Sequence, residues 1–134
     1  MGKRAIVLLS FGGPKNEKEV RRFLFNLFFD KHIIHLPLIL RLPVAILLSS
    51  LRLPKAKKHY TLIKGSPIID NVNKQSKLLR QRIKDDVFMC MRYSSPRAKE
   101  VVKKIKEKDI KNVILFPLYP HYSKTKVGSF IDDF

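Results

Sequence analysis

A chain of 134 residues builds one small domain with a real core, and is too short for two. Its 45% apolar and 29% charged residues are a globular composition and exclude a disordered chain. The formal charge of +17 makes polyanions, either nucleic acid or an anionic membrane surface, the partner classes to weigh. The cations are dispersed over "KAKKHY", "KQSKLLRQRIK" and "RAKEVVKKIKEKDIK"; the last two read as solvated helix faces, and with no aromatics interleaved among the basic residues no nucleic-acid partner is expected. The lone Cys90, inside "VFMCMRY", reads as buried filler in a reducing compartment.

The first element is the continuous apolar run "AIVLL", typical of a parallel strand covered on both faces. It is too short for a secretory h-region. "FGGPKNE" then makes a tight turn, with Pro14 where a helix can begin. Val20, Phe23, Leu24, Leu27 and Phe28 recur at helical spacing, and Asp30 and Lys31 close that helix. "HIIHLPLILRLPVAILLSSL" is strongly apolar yet broken by Pro37, Arg41 and Pro43, and never reaches the ~20 apolar residues that span a bilayer. A short helix is expected from Pro43 to Leu51, apolar on nearly every side. It is either buried or turned toward an apolar ligand or a membrane surface.

"LRLPKAKKHYTLIKGSPIID" reads as a loop and basic segment ending in the turn "KGSP". A polar helix over roughly 71–84 leads to the strand "DVFMCMRY". "SSPRAKEVVKKIKEK" is a helix with Ser95 as N-cap and Pro96 at its first position. "KNVILFP" is a third, buried strand, and "SFIDDF" opens a further helix. Strands alternating with helices give an α/β fold, a doubly wound parallel sheet. Ligands bind beyond the carboxyl ends of such strands, which selects "SFGGP", "MRYSSP" and "PLYPHYS".

"FGGP" lacks the further glycines or the lysine of a nucleotide-binding loop, so a tight turn suffices for it. His32 and His35 stand three apart with no third ligand nearby, which argues against a zinc site. Any one tyrosine is by default a core residue. Tyr93, Tyr119 and Tyr122 at strand ends, beside Arg92 and Ser123, favour a pocket for a flat, anionic ligand. Arg52 and Ser66 add groups that hold carboxylates.

Five stretches together resemble the ferrochelatase family, which inserts ferrous iron into porphyrin. They are "LLSFGGP", "VRRFLFNLFFD" with "IIHLP", "YTLIKGSPI", "MRYSSP" and "PLYPHYSKTKVGS", in family order across essentially the whole chain. The resemblance implies an amino-terminal, Rossmann-like chelatase half-domain over residues 1–134, with the second similar half absent. An apolar lip at about 32–52 would make peripheral membrane contact through Leu36–Leu51. Porphyrin contacts carried over by the resemblance are Phe11, Arg52, Tyr60, Ser66, Arg92, Tyr93, Tyr119, Tyr122 and Ser123.

Iron would be a substrate, and no tightly bound cofactor is expected. Lys124 stands where some relatives ligate an iron–sulfur cluster, so no cluster is expected either. His121 occupies the usual glutamine position. The family's catalytic histidine, in a "SAH-x-x-P"-like motif, and its acidic partner belong to the second half, so no catalytic or metal-ligating residue is expected in this chain. Alone it is expected to be inactive, as a truncated or split product or a partial gene model, with a complementing carboxy-terminal half as possible partner. The expected location is cytoplasmic, peripheral to the inner membrane. The alternatives are a non-catalytic porphyrin- or membrane-binding module and a basic nucleic-acid-binding domain.

Overall fold

A computed structural model describes residues 3–134 except Pro120 and Tyr122, with Lys124 and Thr125 described by backbone alone. The chain divides into two compact units, Gly13–Pro67 and the remainder.

The larger unit is built on three parallel strands: β1 (Arg4–Ser10), β2 (Asp86–Met91) and β3 (Asn112–Pro117). Their order is β2-β1-β3, with Ala5 opposite Asp86 and Val113, and Leu9 opposite Cys90 and Pro117. The pleat sends Ala5, Val7, Leu9 and Cys90 to one face, where they meet Ala98, Val101 and Ile105 of α4 (Ala98–Glu107) and Phe130 of α5 (Ser129–Ile131). The opposite face carries Leu8, Val87 and Met91 against Ile69 and Val72 of α3 (Ile68–Arg82). Helices on both faces make the sheet doubly wound, and explain why β1 and β2 read as apolar runs rather than alternating ones.

β3 departs from the expected buried strand. Val113, Ile114 and Phe116 stay exposed, because β3 is an edge strand and α3 packs against β1 and β2. Two cap details also differ. Arg97, not Ser95, is the N-cap of α4; its amide donates to Glu100 Oε1 at 3.1 Å, while the Ser95 hydroxyl reaches the same carboxylate at 3.0 Å. The polar helix begins at Ile68, three residues before the expected start, and ends at Arg82.

The smaller unit is a helical hairpin of α1 (Glu17–Phe29) and α2 (Leu38–Leu62). Asn16 caps α1 by accepting from the Glu19 amide at 3.2 Å, and Glu19 Oε2 accepts from the Lys15 amide at 2.9 Å. The hairpin closes antiparallel, with Lys57 paired to Glu17 at 3.3 Å and Arg41 lying 5.3 Å above the Phe29 ring.

α2 overturns both the short helix expected from Pro43 to Leu51 and the loop expected after it. It runs 25 residues straight through Pro43 and Pro54. Each proline leaves the carbonyl four residues earlier, at Ile39 and Ser50, without its helical donor. Both prolines are exposed, so water reaches those carbonyls and the breaks are tolerated. Packing of Ala45, Ser49 and Leu53 on the inner side overrides local propensity. Leu62 ends the helix, followed by Lys64 and Gly65 at φ of 56° and 93°.

Candidate functional site

At the carboxyl edge of the sheet the backbone ladder runs past the strands. Arg92 donates to the Ser10 carbonyl at 3.0 Å, Tyr93 to Phe11 at 3.2 Å and Leu118 to Leu9 at 2.9 Å. These bonds bring Phe11, Arg92, Tyr93 and Tyr119, from three separate stretches, to one end of one sheet. Phe11 and Tyr93 meet edge to face, with centroids 4.8 Å apart at 71°. Tyr93 is fully buried and braces the half-buried Phe11 from behind.

Arg92 is also nearly sealed. Its guanidinium pairs with Asp133 and lies 5.6 Å over the Tyr93 ring. The sequence reading missed Asp133; an acidic pair at residues 132–133 in so basic a chain was the available signal.

Tyr119 packs its ring against the α4-side core, and its hydroxyl is buried without a hydrogen-bond partner among the described residues. Burial pushes its phenol up to about 12, against the opposing pull of Arg92. Lys126 lies 5.6 Å above the ring. The Ser123 carbonyl receives the amides of Lys126, Val127 and Gly128 at 3.2, 2.8 and 3.3 Å, closing a π-helical turn over Lys124–Gly128. His121 is exposed, and Tyr122 lies outside the described residues.

In the hairpin unit, Arg52 and Tyr60 sit eight residues apart on one side of α2, about 12 Å along its axis, with Ala56 between them. Arg52 is exposed, its guanidinium 5.6 Å from the Phe28 ring. Tyr60 stands edge-on to Phe23 at 6.3 Å, and burial raises its phenol. The Ser66 amide donates to the Pro14 carbonyl at 2.8 Å, and its hydroxyl sits so close to Gly13 that a Cβ there would lie 2.4 Å away. Gly65 likewise lies against the Lys15 carbonyl, where a Cβ would come within 2.1 Å. The glycines of "FGGP" and "KGSP" thus make two tight turns lock together, as the first of them is expected to need.

Sequence reasoning also missed a groove of about 380 Å³ between α1 and α2, walled by Arg21, Arg22, Phe25 and Ile46. Counting α1 residues at helical spacing by charge as well as apolarity finds it. Cys90 is buried, as expected for filler, and its thiol is pushed up to about 12, first by burial and then by Asp133. Among the described residues, no group of three or more His, Cys, Asp or Glu is placed to hold a metal ion, and no helix is long and apolar enough to cross a membrane.

The family described as Ferrochelatase matches residues 3–134. Curated relatives named ferrochelatase include that of Rickettsia felis, 46% identical over 142 residues, covering all of this chain and 41% of the relative. The Rickettsia bellii protein is 45% identical over 137 residues, covering 97% and 39%. That of a Wolbachia strain from Drosophila simulans is 42% identical over 138 residues, covering 98% and 44%. The chain therefore spans about two fifths of the length of the curated relatives it matches.

Proposed function

The chain belongs to the ferrochelatase family, an enzyme family of the chelatase kind, and on that premise we propose that it supplies one wall of a site inserting ferrous iron into protoporphyrin IX to form protohaem. The observation that carries this reading is the convergence of Phe11, Arg92, Tyr93 and Tyr119 at the carboxyl end of a parallel sheet, the usual place for a ligand in such folds. A porphyrin is a broad apolar plate with two carboxylates. On the sheet unit the Phe11 ring offers a platform for such a plate; taken by itself, the hairpin unit carries Arg52, Tyr60 and Ser66, polar groups of the kind that hold carboxylates. Arg92 and Tyr93, both buried, act as positioning residues behind that surface.

Iron insertion requires removing two pyrrole protons and delivering a metal as the ring bends. We assign those steps to a complementing carboxy-terminal half, with iron as substrate and no resident cofactor or iron–sulfur cluster. The exposed side chains of Leu36, Ile39, Leu47 and Leu51 favour peripheral contact with a membrane, at the cytoplasmic face of the inner membrane.

Titration of protoporphyrin IX into the chain, followed by visible absorption, tests the reading. Saturable binding is expected, weakened about tenfold, or ~1.4 kcal/mol, by Tyr60→Ala. Arg52→Gln, at an exposed position, gives the same test without disturbing the hairpin. No iron insertion is expected from this chain alone. Absence of saturable porphyrin binding would overturn the proposal, and iron insertion by the chain alone would overturn the half-site assignment.

A further inference from the structure

The groove between α1 and α2 changes character along its length. Lys18, Arg21, Arg22 and Phe25 fall at i, i+3, i+4 and i+7, so one side of α1 presents three cations and then an aromatic ring. Phe29 continues that side, stacked on Phe25 at 5.4 Å. Across the groove α2 supplies Ile46, half-exposed, and Ser50. Ser49 is committed elsewhere, its hydroxyl donating to the Ile46 carbonyl at 3.0 Å.

The three cations have no carboxylate partner among the described residues. The adjacent acids are occupied, Glu17 by Lys57 and Glu19 by the Lys15 amide. Ile46 also belongs to the exposed apolar stretch of α2, where Ile39 is 85% and Leu51 is 68% exposed. A cationic end, an apolar end and a continuous greasy ridge match an amphiphile whose phosphate sits at Arg21 and Arg22 while its chains lie along α2.

We propose that this groove receives the phosphate headgroup of an anionic phospholipid, so that the hairpin selects anionic bilayers rather than merely apolar surfaces. This rests on the peripheral membrane contact proposed above and assigns its lipid class. A net charge of +17 supplies the complementarity, and the groove gives it a place.

The test is flotation of the chain with vesicles of phosphatidylcholine alone and of phosphatidylcholine with phosphatidylglycerol. Each cation near an anionic surface is worth roughly fivefold in affinity, so replacing Lys18, Arg21 and Arg22 by Gln lowers binding to the anionic vesicles on the order of 100-fold. Binding to neutral vesicles is unchanged by that triple replacement and is lost with Ile39→Gln and Leu47→Gln. A control replacing Lys104, Lys106 and Lys111 by Gln removes equal charge outside the groove and lowers anionic binding less than about threefold.

Equal losses in the two triple variants would overturn the proposal in favour of diffuse charge attraction. So would saturation of the groove by inorganic phosphate, read from the Arg21 and Arg22 resonances, without competition from vesicles. If the wild-type chain ignores neutral vesicles but binds anionic ones through Arg21 and Arg22, the apolar contact fails and the groove stands.

Discussion

Replacing Tyr119 by Phe separates what the fold wants from what a ligand wants. The Tyr119 ring packs against the core formed by β1, β2 and α4, and Phe retains that packing. Among the described residues the hydroxyl is buried without a hydrogen-bond partner, a condition that costs about 1–3 kcal/mol. Lys126, 5.6 Å above the ring, keeps most of its attraction to a phenyl face. Tyr119→Phe is therefore expected to stabilise the chain by about 1–3 kcal/mol, raising Tm on the order of 4 °C per kcal/mol.

In the porphyrin titration the same variant is expected to bind within about twofold of the wild type, because a hydroxyl sealed from solvent offers no bond to an added ligand. The wild-type phenol offers an internal check. Its ionisation, followed by ultraviolet absorption, is expected near 12 rather than 10. Because the folded value lies above the unfolded one, the stability tied to this group is complete below pH 10 and falls as pH climbs toward 12. A fall in Tm for Tyr119→Phe would refute the reasoning, since it would mean that the hydroxyl is satisfied in the native state.

Gly65→Ala forces a Cβ to within 2.1 Å of the Lys15 carbonyl at a φ of 93°, and is expected to cost at least ~2 kcal/mol by urea unfolding. Asp133→Asn removes a carboxylate paired with the buried Arg92 guanidinium and is expected to lose about 1–3 kcal/mol. Adding Arg92→Gln should recover part of that loss, a coupling visible in a double-mutant cycle. Cys90, with its thiol pushed up to about 12, should resist a thiol reagent at pH 8 until the chain unfolds. Its contribution to stability is present below pH 9 and is lost as pH rises toward 12.

The strands were legible because residues covered on both faces must be apolar without interruption, and β1 and β2 meet that condition. The ends of those strands could then be named as the place where Phe11, Arg92, Tyr93 and Tyr119 would gather. α2 was not legible, because Pro43 and Pro54 break a helix by local rules, and only packing against α1 and an exposed proline side reverse that outcome. Neither was the exposure of β3, since "NVILF" has the same pattern whether or not a neighbour covers it. The cationic groove escaped for a different reason. Lys18, Arg21 and Arg22 gain meaning only once α2 lies opposite them.

The open side of β3 has a bearing on how this chain can be handled. Val113–Phe116 is a short, uncharged, β-prone run whose outer backbone donors and acceptors have no strand partner among the described residues. Such a segment is a template for cross-β growth between copies. Lys111 at one end and Pro117, which has no amide hydrogen, at the other act as gatekeepers that shorten the template without removing it. Refolding yield should therefore fall as protein concentration rises, and a charge introduced at the exposed Ile114 should restore it.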